Sequence, residues 1–262
     1  MVSTTSTDEK NTESRETTAV AAQASTPPTA ISRTLARLEA PALVAVPVVL
    51  VACAAADVEA SAALSLGVVV VALGLMAASY ESSRPTIRQI MPTVVLAAVA
   101  CAGRLLFAAV PDVKPLTAIC IVAGAVLGRR NGFMVGALAA LASNAFFGQG
   151  SWTPWQMYAW GLIGYLAGML QDRGLLSRRG VIYAFGFCSC LLYGLILNGY
   201  SVVGWVRPLT LEGTLATFAT ALPWDLLHGI STVGFLALIW APWHRRIEHV
   251  VTKYDLHGTQ AR

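Results

Sequence analysis

Eight long apolar runs fill the chain between residues 41 and 243, and most basic residues fall between alternate pairs of these runs. Only 12% of the residues are charged, whereas soluble domains carry about 25%. Stretches such as 43–56 and 181–197 lack the long polar face that a helix on a soluble core needs. The runs are also too long and too uniformly apolar for the alternating strands of a membrane barrel. The sequence therefore predicts an all-α integral membrane protein.

The predicted membrane segments share this apolar composition and are separated by short polar connections. They cover approximately residues 41–56, 61–79, 91–110, 116–128, 132–147, 155–170, 181–203 and 215–240. A span needs about 20 residues, although shorter ones occur inside bundles. The short segment 116–128 is retained because the charges alternate correctly only if it crosses the membrane.

The segments divide the chain into a predicted core and additions at both ends. We expect a disordered cytoplasmic tail at 1–30, two extra N-terminal transmembrane helices within 31–90, a six-helix core at 91–243 and a cytoplasmic tail at 244–262. The first 30 residues are rich in Thr, Ser, Glu and Ala, which bury too little apolar surface to order a chain. The two extra helices are mostly Ala, Val and Leu, so the chemistry is expected in the core.

The distribution of basic residues predicts the orientation in the plasma membrane. One set of connections holds Arg33, Arg37, Arg84, Arg88, Arg129, Arg130, Arg173, Arg178, Arg179, Arg245, Arg246 and Lys253. The opposite set holds Asp57, Glu59, Asp112, Lys114, Arg207 and Glu212. Because positive residues concentrate on the cytoplasmic side, both termini are predicted to be cytoplasmic.

Three ionisable side chains lie within the predicted spans. Arg104 is about two turns below the outer end of the third segment, whereas Asp225 and His228 share one face of the last segment. Ionisable groups at such depth cost several kcal/mol unless they are paired or hydrated, and they usually mark a functional site. A purely structural Arg104–Asp225 pair that fixes the bundle is the alternative.

Further polar and aromatic candidates cluster near the predicted outer face. Residues 111–115 form a stiff turn between two prolines, which is either a tight connection or a lid that carries a charge pair. Residues 153–156 match a capping box with proline at the first helical position, so that Gln156 could serve its own helix start. Trp152 and Trp155 either belong to an interfacial aromatic belt or stack on a ligand. The predicted substrate-binding residues are Arg104, Asp112, Lys114, Asn144, Gln149, Trp152, Trp155, Gln156, Asn198, Asp225 and His228.

The absence of several sequence motifs excludes some classes of function. No Gly-Lys pair occurs, so the chain has no P-loop and cannot hydrolyse ATP by itself. No His-Glu-x-x-His motif and no nucleophile beside Asp225 or His228 is evident. We therefore expect no metal, no cofactor and no enzymatic activity. The basic residues are scattered rather than gathered on one face, which argues against nucleic acid as a partner.

Glycines and alanines at regular spacing predict close helix packing. Gly124, Gly128, Gly132 and Gly136 follow each other at steps of four, and Gly161, Gly164 and Gly168 line one side of the sixth segment. Small residues at such spacing allow helix backbones to approach closely, here most simply within one chain. Ala98 and Ala102 form a similar pair that could dock another protein.

Five features together resemble the substrate-specific (S) component of an energy-coupling factor (ECF) transporter: Gly103-Arg104, the 111–115 turn, Gly124 with Gly128, the segment 148–156 and Pro223-Trp224-Asp225-Leu226-Leu227-His228. The resemblance covers residues 91–243. It implies a six-helix core that captures a vitamin, with cobalamin the nearest suggestion, from outside under a loop. It also implies a membrane-embedded T component, two ATPase subunits that hydrolyse ATP, and Ala98 and Ala102 as the contact with the T component.

Two other functions remain open from the sequence. A proton-coupled secondary transporter could act alone through Asp225 and His228, since histidine titrates near neutrality. A membrane enzyme could use the same two residues for acid–base chemistry. The leading hypothesis is a substrate-binding subunit, embedded in membrane lipid, that borrows ATP hydrolysis from partners.

Overall fold

The computed structural model describes residues 29–56 and 60–253, and this part of the chain is almost entirely helical. It contains α1 (Ala30–Ala56), α2 (Ser61–Ser82), α3 (Ile87–Leu106), α4 (Leu116–Leu127), α5 (Arg129–Phe147), α6 (Thr153–Asp172), a short 3-10 helix (Leu175–Ser177), α7 (Arg179–Trp205) and α8 (Leu211–Lys253). The prediction of an all-α integral membrane protein is confirmed. Most of the predicted N-terminal tail (residues 1–28), Asp57 and Glu59, and the end of the C-terminal tail (254–262) lie outside the described residues.

Several helices begin or end away from their predicted bounds. Both α1 and α8 are longer than expected, because α1 begins at Ala30, before Pro41, and α8 continues past Pro242 to Lys253. Helix α3 ends earlier, at Leu106, and residues 107–115 form a connection that we call the lid turn. This connection contains Pro111 and Pro115 and places Asp112 at a positive φ of 57°, a conformation that cannot continue a helix.

The helices differ in how they meet the membrane. Within the described residues, α1, α2, α3, α7 and α8 are long and apolar enough to cross it. Helix α4 has only twelve residues, and all of them are buried among its neighbours. Helix α5 begins with Arg129 and Arg130 and carries Ser143 and Asn144 near its other end, which lowers its mean hydropathy. Helix α4 is therefore enclosed by its neighbours, and more than half of the residues of α6 are buried as well.

Glycines bring α4, α5 and α6 into backbone contact. Gly128, with a φ of 86°, is the whole connection between α4 and α5, so residues 129–131 begin a helix instead of forming the expected loop. A Cβ atom on Gly132 would lie 2.5 Å from the Cα of Gly124 and 2.6 Å from the carbonyl oxygen of Gly164. The predicted packing of these glycines within one chain is confirmed.

Helices α1 and α2 form a hairpin that covers part of the bundle. The two helices pack on each other, α2 also contacts α6, and α1 also contacts α7. Their outward faces carry exposed apolar side chains such as Val48, Val51, Val70 and Val71, as expected for a lipid-facing surface.

Candidate ligand-binding site

Arg104 lies in the last turn of α3 and not two turns below its end as predicted, because the helix stops at Leu106. Neutral partners hold its side chain. Its Nη1 donates to the Ser143 hydroxyl at 2.6 Å and to the side-chain oxygen of Asn144 at 2.8 Å. The guanidinium carbon lies 4.8 Å from the ring centroid of Phe147 and 4.9 Å from that of Trp160, within range of cation–π attraction. Dipoles and aromatic faces therefore stabilise this charge within the bundle.

The alternative of an Arg104–Asp225 ion pair is not found in the structure. Among the described residues, Arg104 makes no salt bridge. Asp225 instead accepts a hydrogen bond from the amide of Asn198 at 3.0 Å. Gly194 makes room for it, because a Cβ atom there would overlap the Asp225 carboxylate.

Trp160 lies at the centre of the site. Its indole nitrogen donates to the Thr117 hydroxyl at 3.0 Å, and its ring centroid is 4.5 Å from that of Tyr193. The Lys114 ammonium lies 6.0 Å from the Trp160 ring centroid. Trp160 therefore links four helices through one buried side chain, since Arg104, Thr117 and Tyr193 come from α3, α4 and α7.

His228 completes this aromatic layer from α8. Its Nε2 lies 2.8 Å from the Thr117 hydroxyl oxygen, and its ring meets Tyr193 edge-on at a centroid distance of 5.4 Å. The side chain is 1% exposed, and its Nδ1 has no hydrogen-bond partner among the described residues. A buried polar atom without a partner is uncommon and marks hydrogen-bonding capacity that a ligand could use.

The lid turn covers the Arg104 side of the cluster. Lys114 and Asp112 form an ion pair at 2.8 Å, and the Ser231 hydroxyl donates to the backbone carbonyl of Asp112 at 3.1 Å. Beneath the turn is a cavity of about 150 Å³ whose lining includes Arg104 and Phe147. Ligand sites commonly occupy about 300–1,000 Å³, so a vitamin-sized guest requires the turn to move outward.

Side-chain amides extend the hydrogen-bond network from Arg104 toward the start of α6. Asn144 Nδ2 donates to Gln156 Oε1 at 2.8 Å and to the Thr153 hydroxyl at 3.0 Å. Thr153 in turn donates to Gln149 Oε1 at 2.9 Å. Asn144, Gln149 and Gln156 thus belong to one network.

The capping-box prediction for the start of α6 is wrong. The N-cap residue is Trp152, which makes no side-chain capping bond, although a proline does lie in the first turn. The predicted box required Gln156 to bond back to the helix start. The Gln156 side chain instead accepts the hydrogen bond from Asn144, which frees it from a purely local role.

The two predicted tryptophans differ in their burial. Trp155 is fully buried, and its ring packs 5.5 Å from that of Tyr200. Its indole nitrogen has no partner in the described part of the chain. Trp152 is 40% exposed and lies against Gly150. Trp155 is therefore a core residue, whereas Trp152 is a surface residue.

Five residues that connect the predicted ones were not predicted from the sequence. These are Thr117, Ser143, Phe147, Trp160 and Tyr193. A signal was present for two of them. Tyrosine and tryptophan favour the membrane interfaces, where their polar ends reach water, so Trp160 and Tyr193 in the middle of apolar segments needed buried partners.

Comparison with known proteins identifies the family. No curated protein sequence and no solved structure shows a significant match to the chain. The profile of the family described as ECF-type riboflavin transporter, S component, matches residues 84–243, which is more than half of the chain. The match spans α3 to α7 and most of α8, so it includes every group of the site described above and confirms the resemblance drawn from the sequence. The chain therefore belongs to the ECF-type riboflavin transporter S component family.

Proposed function

We propose that the protein captures riboflavin, or a closely related planar vitamin, and delivers it through an ECF T component and two ATPase subunits. The observation that carries this proposal is the position of Arg104, a half-buried cation held by neutral acceptors between Phe147 and Trp160. Such a group can bond a ligand without first breaking a salt bridge. The family of the chain is consistent with this role.

The chemistry of the cluster suits a flavin. The isoalloxazine ring is flat and aromatic, carries carbonyl and N–H groups on one edge, and bears a polyhydroxylated chain. Phe147 is 45% exposed and offers a stacking surface, the buried Trp160 supports Arg104, and Arg104 and Lys114 offer donors for carbonyl oxygens. The Asn198–Asp225 pair and the unpartnered Nδ1 of His228 suit hydroxyl and N–H groups.

Riboflavin replaces cobalamin as the proposed substrate for two reasons. The matching family is described by riboflavin transport, and no comparison supports cobalamin. The cavity below the lid turn, about 150 Å³, is also far from the volume that a corrin ring and its nucleotide loop require. A smaller outward movement of the turn admits a flavin.

The energy for release is proposed to come from partners. Ala98 and Ala102 are exposed on α3, beside an apolar groove of about 580 Å³ between α3, α4 and α8. We assign this face to the T component. In this proposal ATP is hydrolysed by the ATPase subunits, and both termini lie in the cytoplasm, an orientation that the basic residues at the helix ends favour.

Binding and transport by the isolated chain test the proposal. The purified full chain in detergent should quench flavin fluorescence with a Kd below about 1 μM, and cobalamin and thiamine should not compete. Proteoliposomes that contain only this chain should bind riboflavin without accumulating it. Accumulation that depends on a pH gradient would instead favour a secondary transporter. Absence of any flavin binding would refute the proposed substrate.

A further inference from the structure

Helix α1 lies outside the family region, which begins at residue 84, yet it is joined to the core at three levels. The first level is a buried carboxylate. Glu39 is 2% exposed and accepts hydrogen bonds from the Ser79 hydroxyl, from Arg130 Nε and, at 3.2 Å, from the Tyr165 hydroxyl. These partners belong to α2, α5 and α6. A charge buried in this way is retained only with such compensation.

The second level depends on a proline. Pro47 has no N–H group, so it cannot donate to the carbonyl of Leu43 one turn earlier in α1. The hydroxyl of Tyr158, from α6, donates to that carbonyl at 2.6 Å. Tyr158 is fully buried and lies two residues before Trp160. The carbonyl that Pro47 leaves without a helical donor is therefore hydrogen-bonded by a residue of α6, the helix that also carries Trp160.

The third level is close packing on α7. A Cβ atom on Gly199 would lie 2.7 Å from a methyl carbon of Leu50, so α1 rests directly on the α7 backbone at this point. Gly199 is adjacent to Asn198, the partner of Asp225 in the site. Helix α1 thus contacts both helices that supply Trp160, Tyr193 and Asn198.

We propose that α1 is a wall of the ligand-binding core, and that Tyr158 and Glu39 are positioning residues that hold α6 and α7 in their binding geometry. The expected effect of α1 on riboflavin affinity rests on the proposed function. Its expected effect on the conformational ordering of α6 and α7 does not. In this proposal the two extra helices contribute to the geometry of the ligand-binding core.

A rescue experiment on the full chain tests the Tyr158 link. Tyr158→Phe removes one hydroxyl and leaves the Leu43 carbonyl without its donor, whereas Pro47→Ala supplies a helical N–H to the same carbonyl. Tyr158→Phe should lower Tm by about 2–4 °C and weaken riboflavin binding about fivefold. The double variant should recover most of both losses. Tyr183→Phe, on the half-buried Tyr183 of α7, is the control and should change neither quantity.

Glu39 is tested in parallel. Glu39→Gln keeps the shape but leaves the Arg130 charge uncompensated, so Tm should fall more than for Tyr158→Phe. Glu39→Gln combined with Arg130→Gln should recover part of that loss, because both charges are then absent. Glu81→Gln, at an exposed position of α2, is the matched control.

Hydrogen–deuterium exchange provides a readout that needs no ligand. Amides of α6 and α7 near Trp160 and Asn198 should exchange faster in Tyr158→Phe and return to wild-type rates in the Pro47→Ala double variant. A lower Tm with unchanged exchange in α6 and α7 and unchanged affinity would overturn the positioning role. If the wild-type chain binds no riboflavin, the proposed function fails, while exchange and rescue still decide whether α1 is a wall of the core.

Discussion

The guanidinium of Arg104 donates a 2.8 Å hydrogen bond to the side-chain oxygen of Asn144, which ties the end of α3 to the end of α5. The amide nitrogen of Asn144 in turn donates to the side-chain oxygen of Gln156, near the start of α6. The cation is therefore fixed by a hydroxyl and an amide rather than by a carboxylate. Neutral acceptors hold a charge in place without neutralising it, so the electrostatic field of Arg104 remains available to a ligand.

The first prediction concerns the Arg104 charge itself. Arg104→Ala should weaken riboflavin binding about 30-fold, or about 2 kcal/mol, because a charged donor to the ligand is lost. Fluorescence titration of the full chain measures this change. Arg88→Ala, at an exposed position near the start of the same helix, should leave the Kd unchanged. Equal affinity in both variants would remove Arg104 from the site.

The second prediction concerns the hydroxyl that Trp160 and His228 share. Thr117→Val preserves the shape of the side chain but leaves the indole N–H and the imidazole Nε2 without their partner, so it should destabilise the protein by about 1–3 kcal/mol. Thr117→Ser keeps the hydroxyl and is the matched control. The Tm and the riboflavin Kd of the two variants provide the test. Identical values for both would show that the hydroxyl contributes nothing.

The sequence predicted the helical membrane fold and the helices that carry Arg104, Asp225 and His228, because long apolar runs and sorted charges are strong signals in lipid. The partners of these residues could not be predicted. A hydrogen bond such as that between Trp160 and Thr117 joins positions 43 residues apart, and its formation depends on helix rotations that no local pattern encodes.

The position of Glu39 in the sequence already indicated a buried carboxylate, but the residue was not predicted to be one. Glu39 lies two positions before Pro41, directly beside an apolar segment, and a carboxylate there needs a partner wherever the helix is buried. The first helix was predicted to begin at residue 41, which placed Glu39 in a solvated connection. Because α1 continues back to Ala30, the carboxylate is buried and needs Arg130 as its partner.

The third prediction uses the glycine contact between α5 and α6. Gly164→Ala should destabilise the protein by about 1–3 kcal/mol, because the new methyl group would overlap the backbone at Gly132. Gly74→Ala is the matched control, since no atom lies within 4 Å of a Cβ at that position of α2. It should be neutral or slightly stabilising, as alanine favours helices. Thermal unfolding in detergent separates the two, and equal Tm values would contradict the packing account.

The last prediction separates ligand capture from transport. Ala98→Leu combined with Ala102→Leu enlarges two exposed side chains on α3, so close approach of a partner helix is blocked while the site behind Arg104 is untouched. Riboflavin affinity of the isolated chain should stay within about twofold of wild type, whereas ATP-dependent uptake by the reconstituted four-subunit complex should be lost. Ala63→Leu with Ala78→Leu adds the same bulk to exposed positions of α2 and should support normal uptake. Because both pairs face outward, only a partner bound at α3 can distinguish them, and normal uptake by the α3 variant would place the T component elsewhere.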